Sequence, residues 1–300
     1  MIHKYVNGNY TVEINDATGT KTRWTEEDRF ISKFPESIDC TITYKCDGEC
    51  KFCYANFTST GKHADLDSDY INNVFIPSLK PYTEIALNGN DLSHPQLYSF
   101  LQKLKDHDVI ANITVNQKHF LANLDYLHRL YDNKLIHGLG VSLTDPNLRL
   151  VAELQKFPTA VLHVVAGVVT TGQLNKLKNH GIKLLILGYK DKGRGVEFYK
   201  ENAENVSNNI KMVRTLLPTY IKDGFDVISF DNLAIEQLHV KDLMTESEWN
   251  EFYMGDDGQF TFFVDLVNKT FAKDSLTDAH FAIDNRSIDD MFDIIKTNLQ

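Results

Sequence analysis

The sequence has no apolar run approaching the ~18 residues that a membrane-spanning helix needs, so a membrane protein is not expected. Its first ten residues are polar and hold no apolar signal core, and nothing in them marks secretion. Basic residues are in deficit: 31 Lys and Arg stand against 41 Asp and Glu, a net charge of −10. That balance disfavours nucleic acid as a partner, because binding its phosphates calls for a basic face. The one short basic stretch, Lys190-Asp191-Lys192-Gly193-Arg194, is too small to carry duplex binding. Cysteines number only 4, and none lies beyond Cys53. Their crowding excludes a disulfide framework and points to a metal in a reducing, cytoplasmic setting. There is no low-complexity segment. Hydrophobic content of 42% and charged content of 24% remain, ordinary for a water-soluble chain able to bury a full core.

Short apolar runs alternate with amphipathic segments. Strands are expected at 38–44, 85–87, 112–115, 139–143, 183–187 and 227–230, with 161–169 as a nearly continuous, buried apolar run. Helical spacing marks 70–79, which Pro77 should end or kink, and then 97–104, 121–131, 148–154, 174–181 and 196–217. A βα unit every roughly 25–30 residues argues for a parallel sheet with helices outside. Six or seven units are too few to close an eight-fold barrel. The expected fold is therefore α/β, a partial (β/α)6-type parallel barrel. An N-terminal β-hairpin precedes it, with Tyr10, Val12 and Ile14 alternating before a turn at Asp16-Ala17-Thr18-Gly19. Thr25 with Asp28 is a weak helix start. A C-terminal α+β extension follows: a helix capped by Thr245 and Glu248, a hairpin turning near Asn268, and a final helix after Ser287 and Asp290. The boundaries are 1–35, 36–240 and 241–300. The hairpin is expected to act as a structural lid or to offer an edge to an extended peptide.

All four thiols fall in one stretch, I-D-C-T-I-T-Y-K-C-D-G-E-C-K-F-C-Y. The first strand delivers the chain into a loop spaced C-x3-C-x2-C: Cys46, Cys50 and Cys53. Three thiolates this close can hold three corners of an iron–sulfur cube and leave its fourth iron without a motif ligand. The competing reading is zinc on four cysteines. Cys40 lies six positions before Cys46, inside the strand, and reads as a small buried residue.

With Phe52 before the last cysteine, Tyr54 after it, and a position after the first strand of a βα series, this motif resembles the radical S-adenosylmethionine enzymes. The resemblance covers residues 38–230. It implies a [4Fe–4S] cluster on Cys46, Cys50 and Cys53, with S-adenosylmethionine on the open iron. One electron, from a flavodoxin- or ferredoxin-type donor, would cleave the cofactor to a 5′-deoxyadenosyl radical that takes a hydrogen atom from substrate. The family usually has a Gly-Gly-Glu-like segment after the second strand; here Asn88-Gly89-Asn90-Asp91 stands there, with Asn90 in the usual place of the acid and Asp91 as its substitute. Ser142 matches the family's ribose-binding hydroxyl, Thr144 stands where an Asp is common, and the backbone near Tyr54 is expected to meet the adenine. The loop after the sixth strand, 188–195, brings cations that could meet the cofactor carboxylate or an anionic substrate. His63, His94, His163 and His180 are scattered and read as structural or exposed; Asp231 and Glu236 could face substrate. The substrate is expected to be a peptide or a small metabolite. The alternatives are a glycyl-radical-activating enzyme and a non-catalytic, metal-stabilised binding protein, the latter favoured only by the departures at Asn88 and Asn90.

Overall fold

The computed structural model describes residues 1–88 and 91–298. Seven strands follow one another in chain order and pair in parallel: β4 (Ser37–Thr41), β5 (Glu84–Asn88), β6 (Ile110–Asn116), β7 (Gly138–Ser142), β8 (Ala160–Val165), β9 (Lys183–Leu187) and β10 (Val227–Phe230). They are preceded by β1 (Ile2–Asn7), β2 (Tyr10–Asn15) and β3 (Thr20–Trp24) and followed by β11 (Thr261–Asp265), β12 (Thr270–Ala272) and β13 (Phe281–Ala282). The large sheet is open, ordered β10-β9-β8-β7-β6-β5-β4-β11-β12-β13.

The two faces of this sheet differ in chemistry. Ile38, Cys40, Ile85, Leu87, Ile113, Val115, Leu139, Val141, Leu162, Val164, Leu184 and Ile186 are buried on one face. There they form one core with helix residues such as Phe100, Leu101, Leu127 and Val213. The period-2 alternation of each strand turns the next residue to the other face. That face carries Asp39, Thr41, Asn88, Asn112, Thr114, Asn116, Ser142 and His163, all polar and only Thr41 fully buried. The expected continuous apolar run at 161–169 is accordingly a shorter strand, β8, with alternating burial. His163 breaks the run, its ring lying over Gly140 of the neighbouring strand, where a Cβ would meet it at 2.3 Å.

The N-terminal hairpin is present and carries a third strand, because β1 pairs antiparallel with β2. No helix forms after Thr25, whose hydroxyl donates instead to the Asn9 carbonyl, 2.8 Å. This small sheet sits against the amino-terminal ends of β4 and β5. Arg23 pairs with buried Glu36 at 2.7 Å, the Tyr10 hydroxyl donates to the same carboxylate at 2.7 Å, and Lys21 bridges Glu36 and Glu84.

The C-terminal hairpin differs from its expected place. β11 is paired on both sides, parallel to β4 and antiparallel to β12, so neither of its edges is open to a peptide. Its burial explains the unalternated run Phe262-Phe263-Val264: a strand inside a sheet, covered on both faces, is apolar on both. Both predicted capping boxes are formed, at Thr245/Glu248 and Ser287/Asp290. Among the described residues no helix is long and apolar enough to cross a membrane.

His94, at 4% exposure, closes the turn after β5. Its Nε2 donates to the Ala64 carbonyl at 2.9 Å and its Nδ1 accepts from the Gln96 amide at 3.1 Å, so the ring is neutral. Burial lowers its pKa to about 4. A histidine held neutral stabilises the fold above its unfolded pKa of ~6.5 and loses that contribution as pH falls toward 4. Up to about 3 kcal/mol is expected to disappear over that window. Urea unfolding at pH 7 and pH 4.5 measures it, and His94→Gln should flatten the difference.

Candidate active site

The cysteine loop leaves the carboxyl end of β4, on the rim where parallel sheets collect their ligands. Its two ends are zipped together. Tyr44 donates its amide to the Lys62 carbonyl (2.8 Å), Thr58 to that of Tyr44 (3.0 Å) and Cys46 to that of Thr58 (2.7 Å). Gly61 makes this closure possible, since a Cβ there would lie 2.0 Å from the Tyr44 carbonyl oxygen. Tyr44 anchors the loop to the β11–β12 turn: its hydroxyl donates to Asp265 at 2.7 Å, and Asp265 also accepts from the Val267 and Asn268 amides. Asp47 ties the loop to the helix Gln117–Ala122 through His119 Nε2, 2.6 Å away.

Within this frame Cys46 and Cys50 face a common space. A Cβ built on Gly48 would stand 3.2 Å from Cys46 Sγ, 3.7 Å from Cys50 Sγ and 3.8 Å from Asn116 Nδ2. The missing side chain thus leaves open a space bordered by two sulfurs. The Gly48 amide also donates toward Cys46 Sγ at 3.3 Å. Burial, reinforced by neighbouring thiols, pushes the Cys46 and Cys50 pKa values up. Thiolates at such a site call for a bound cation, which deprotonates its ligands outright. Cys40 is fully buried on the apolar face of β4 and points away from the loop. Phe52 packs edge-on against Phe198, ring centres 5.9 Å apart.

Asn88 ends β5 beside Thr41, whose hydroxyl donates to its Oδ1 at 2.8 Å and orients the amide. Gly89 and Asn90 lie outside the described residues; Asp91 begins a single 3-10 turn. Ser142 ends β7 on the polar face, in register with Asn116 on one side and His163 on the other. Thr144 is committed to structure: its amide and hydroxyl both donate to Gln117 Oε1. Asp231 caps the helix Asn232–Gln237 and accepts from the Gly188 amide at 2.8 Å, while Glu236 is exposed. His163 faces the interior and burial holds it neutral, its pKa pushed down to about 4.

Two of the three cations of the loop after β9 are committed to other partners. Lys192 binds the Leu276 carbonyl and Asp278. Arg194 spends its donors on the cysteine loop itself. Lys190 lies 4.2 Å above the Tyr54 ring and 3.2 Å from Ser275 Oγ. Sequence reasoning missed Asp39, on the same polar face as Asn88 and Ser142. It projects into the interior, reached by water yet surrounded by protein. Burial, followed by Asp257, Asp231 and Asp274, pushes its pKa up to about 6 against the opposing pull of Lys190. Only period-2 counting from Ile38 could have exposed it.

No protein-family model matches the chain, and no curated protein matches it. Solved structures do. SuiB of Streptococcus suis, crystallised with S-adenosylmethionine, superposes at a TM-score of 0.62 with 10% identity, covering 98% of this chain and 86% of that one. A further SuiB structure gives 0.60 and 11%, covering 97% and 86%. SuiB bound to precursor peptide SuiA gives 0.56 and 12%, covering 87% and 65%. At such identity the likeness is one of fold. The chain therefore carries its C-x3-C-x2-C loop on a fold like that of SuiB.

Proposed function

We propose that the protein is a radical S-adenosylmethionine enzyme that removes a hydrogen atom from a peptide. The observation that carries this reading is that Cys46 and Cys50 border the space that Gly48 leaves open, in a C-x3-C-x2-C loop on the rim of a parallel sheet whose fold is that of a protein crystallised with S-adenosylmethionine. The donor set fits a [4Fe–4S] cluster: three thiols, none from elsewhere, and no fourth protein ligand within the loop. When bound, cluster and S-adenosylmethionine supply the one-electron chemistry.

The chain's own residues hold and orient. In this reading the seven parallel strands form the (β/α)6-type partial barrel, and its polar face is the reaction chamber. Asn88, fixed by Thr41, and the Gly89-Asn90 segment take the amino end of S-adenosylmethionine; Ser142 takes the ribose, and the backbone at Tyr54 takes the adenine. The helix-covered face of the sheet excludes water from one side. An electron enters from a flavodoxin- or ferredoxin-type donor in the cytoplasm. A peptide substrate is favoured over a small metabolite by the likeness to a protein crystallised with a precursor peptide.

Anaerobic reconstitution tests the reading. Wild-type protein is expected to hold about four iron and four sulfide per chain and, once reduced, to release 5′-deoxyadenosine from S-adenosylmethionine. Cluster-loaded, reduced protein that yields no 5′-deoxyadenosine would favour a non-catalytic metal-stabilised protein. One zinc and no sulfide would remove the cluster altogether.

A further inference from the structure

The cysteine loop has a second clamp, built by the turn after β9. The Arg194 amide donates to the Cys53 carbonyl at 3.0 Å, its Nε to the Cys50 carbonyl at 3.0 Å, and its Nη1 to the Phe57 carbonyl at 2.9 Å. One residue thus satisfies three carbonyls of the loop, two of them belonging to thiol-bearing residues. The approach is close because Gly193 precedes it. Gly193 has φ +55°, and a Cβ there would lie 2.3 Å from the Tyr54 carbonyl oxygen and 2.8 Å from Asn56 Oδ1. The planar guanidinium matters as much as its charge. Its fixed fork reaches two carbonyls at once, which a lysine ammonium on a flexible stem does not reproduce.

Resting on the cluster reading above, we propose that Arg194 is a positioning residue that fixes the cysteine loop and, through its permanent charge, eases reduction of the group the loop holds. Reduction adds one negative charge to a cluster. A cation held beside a ligand's own carbonyl favours the reduced form and raises the potential. The same loop supplies a control. Lys192, two residues away, spends its charge on Asp278 and the Leu276 carbonyl and makes no contact with the cysteine loop among its hydrogen bonds.

The experiment compares wild type, Arg194→Gln, Arg194→Lys and Lys192→Gln after anaerobic reconstitution. Iron and sulfide retained through gel filtration report the clamp. Electron paramagnetic resonance at poised potentials reports the charge, and thermal unfolding of the apo-proteins checks the fold. Arg194→Gln is expected to lose iron faster and to show about a tenfold lower reduced-to-oxidised ratio at a given potential, a shift of ~59 mV for one electron. Arg194→Lys should restore the potential without restoring iron retention, and Lys192→Gln should match wild type in both. Wild-type retention and potential in Arg194→Gln would overturn the proposal, as would an equal shift in Lys192→Gln. Wild-type protein without sulfide would sink the cluster reading itself, and this inference with it.

Discussion

Cys46→Ala, Cys50→Ala and Cys53→Ala are each expected to lower 5′-deoxyadenosine formation by at least about 1,000-fold, equivalent to more than ~4 kcal/mol of barrier. Cys40→Ala is expected to leave iron content and product formation at the wild-type level. The four residues share one short stretch of sequence, yet the strand separates them. Cys40 is fully buried among Ile38, Ile42 and Leu87 on the apolar face. Replacing its sulfur with hydrogen leaves a small cavity and should cost about 1 kcal/mol of stability, a shift of a few degrees in Tm. The other three sit beyond the strand and are half-buried, Cys46 and Cys50 beside Gly48. A site with three ligands to a cluster cannot lose one and remain closed against solvent. Iron and sulfide analysis with product quantification by mass spectrometry makes the comparison. Metal loss in Cys40→Ala would count for zinc held by all four thiols.

The order of strands and helices was legible because each carries its own local signal: apolar period, cap or turn. Thr245 with Glu248 and Ser287 with Asp290 formed the capping boxes their spacing predicts. The cysteine motif stood out for the same reason, since its spacing is local too. What escaped was pairing over distance. Nothing in Phe262-Phe263-Val264 says that its partner is Ser37–Thr41, more than two hundred residues earlier. Its lack of alternation was the available sign that both faces are covered. The basic character of residues 190–194 suggested a free anion site. The fold instead directs Arg194 onto backbone carbonyls and Lys192 onto the segment that follows β12. Charge in a sequence says what a residue can attract, and the tertiary fold decides what is already there.

Asp39 shows the same limit from the other side. One residue before buried Cys40, it faces the opposite way and meets the interior at mid-strand, below Thr41 and Asn88. With a pKa pushed up to about 6, it passes from mostly protonated to mostly ionised between pH 5 and pH 7. The interior therefore gains negative charge over that range, opposite Lys190, whose ammonium lies over the Tyr54 ring.

Gly48→Val should abolish cluster loading while leaving the fold intact, a sharper statement than loss of a ligand because all thiols remain. The backbone at Gly48 does not occupy the left-handed region, unlike Gly193 and Gly255, so no left-handed strain stands against a side chain there. The effect must come from space alone. An alanine Cβ would already press on Cys46 Sγ at 3.2 Å. The two further methyl groups of valine extend into the region between the sulfurs that a metal group has to fill. A graded series is expected: near four irons per chain in wild type, a partial load in Gly48→Ala, and less than about one in Gly48→Val. Apo-protein Tm should change by no more than a few degrees, since Cys46 and Cys50 are only half-buried and Gly48 lies outside the core. Titrated thiol reactivity with all three cysteines still present separates occlusion from unfolding. Full iron content in Gly48→Val would mean that the group bound by these thiols does not lie between Cys46 and Cys50, and the geometry proposed for the site would fall.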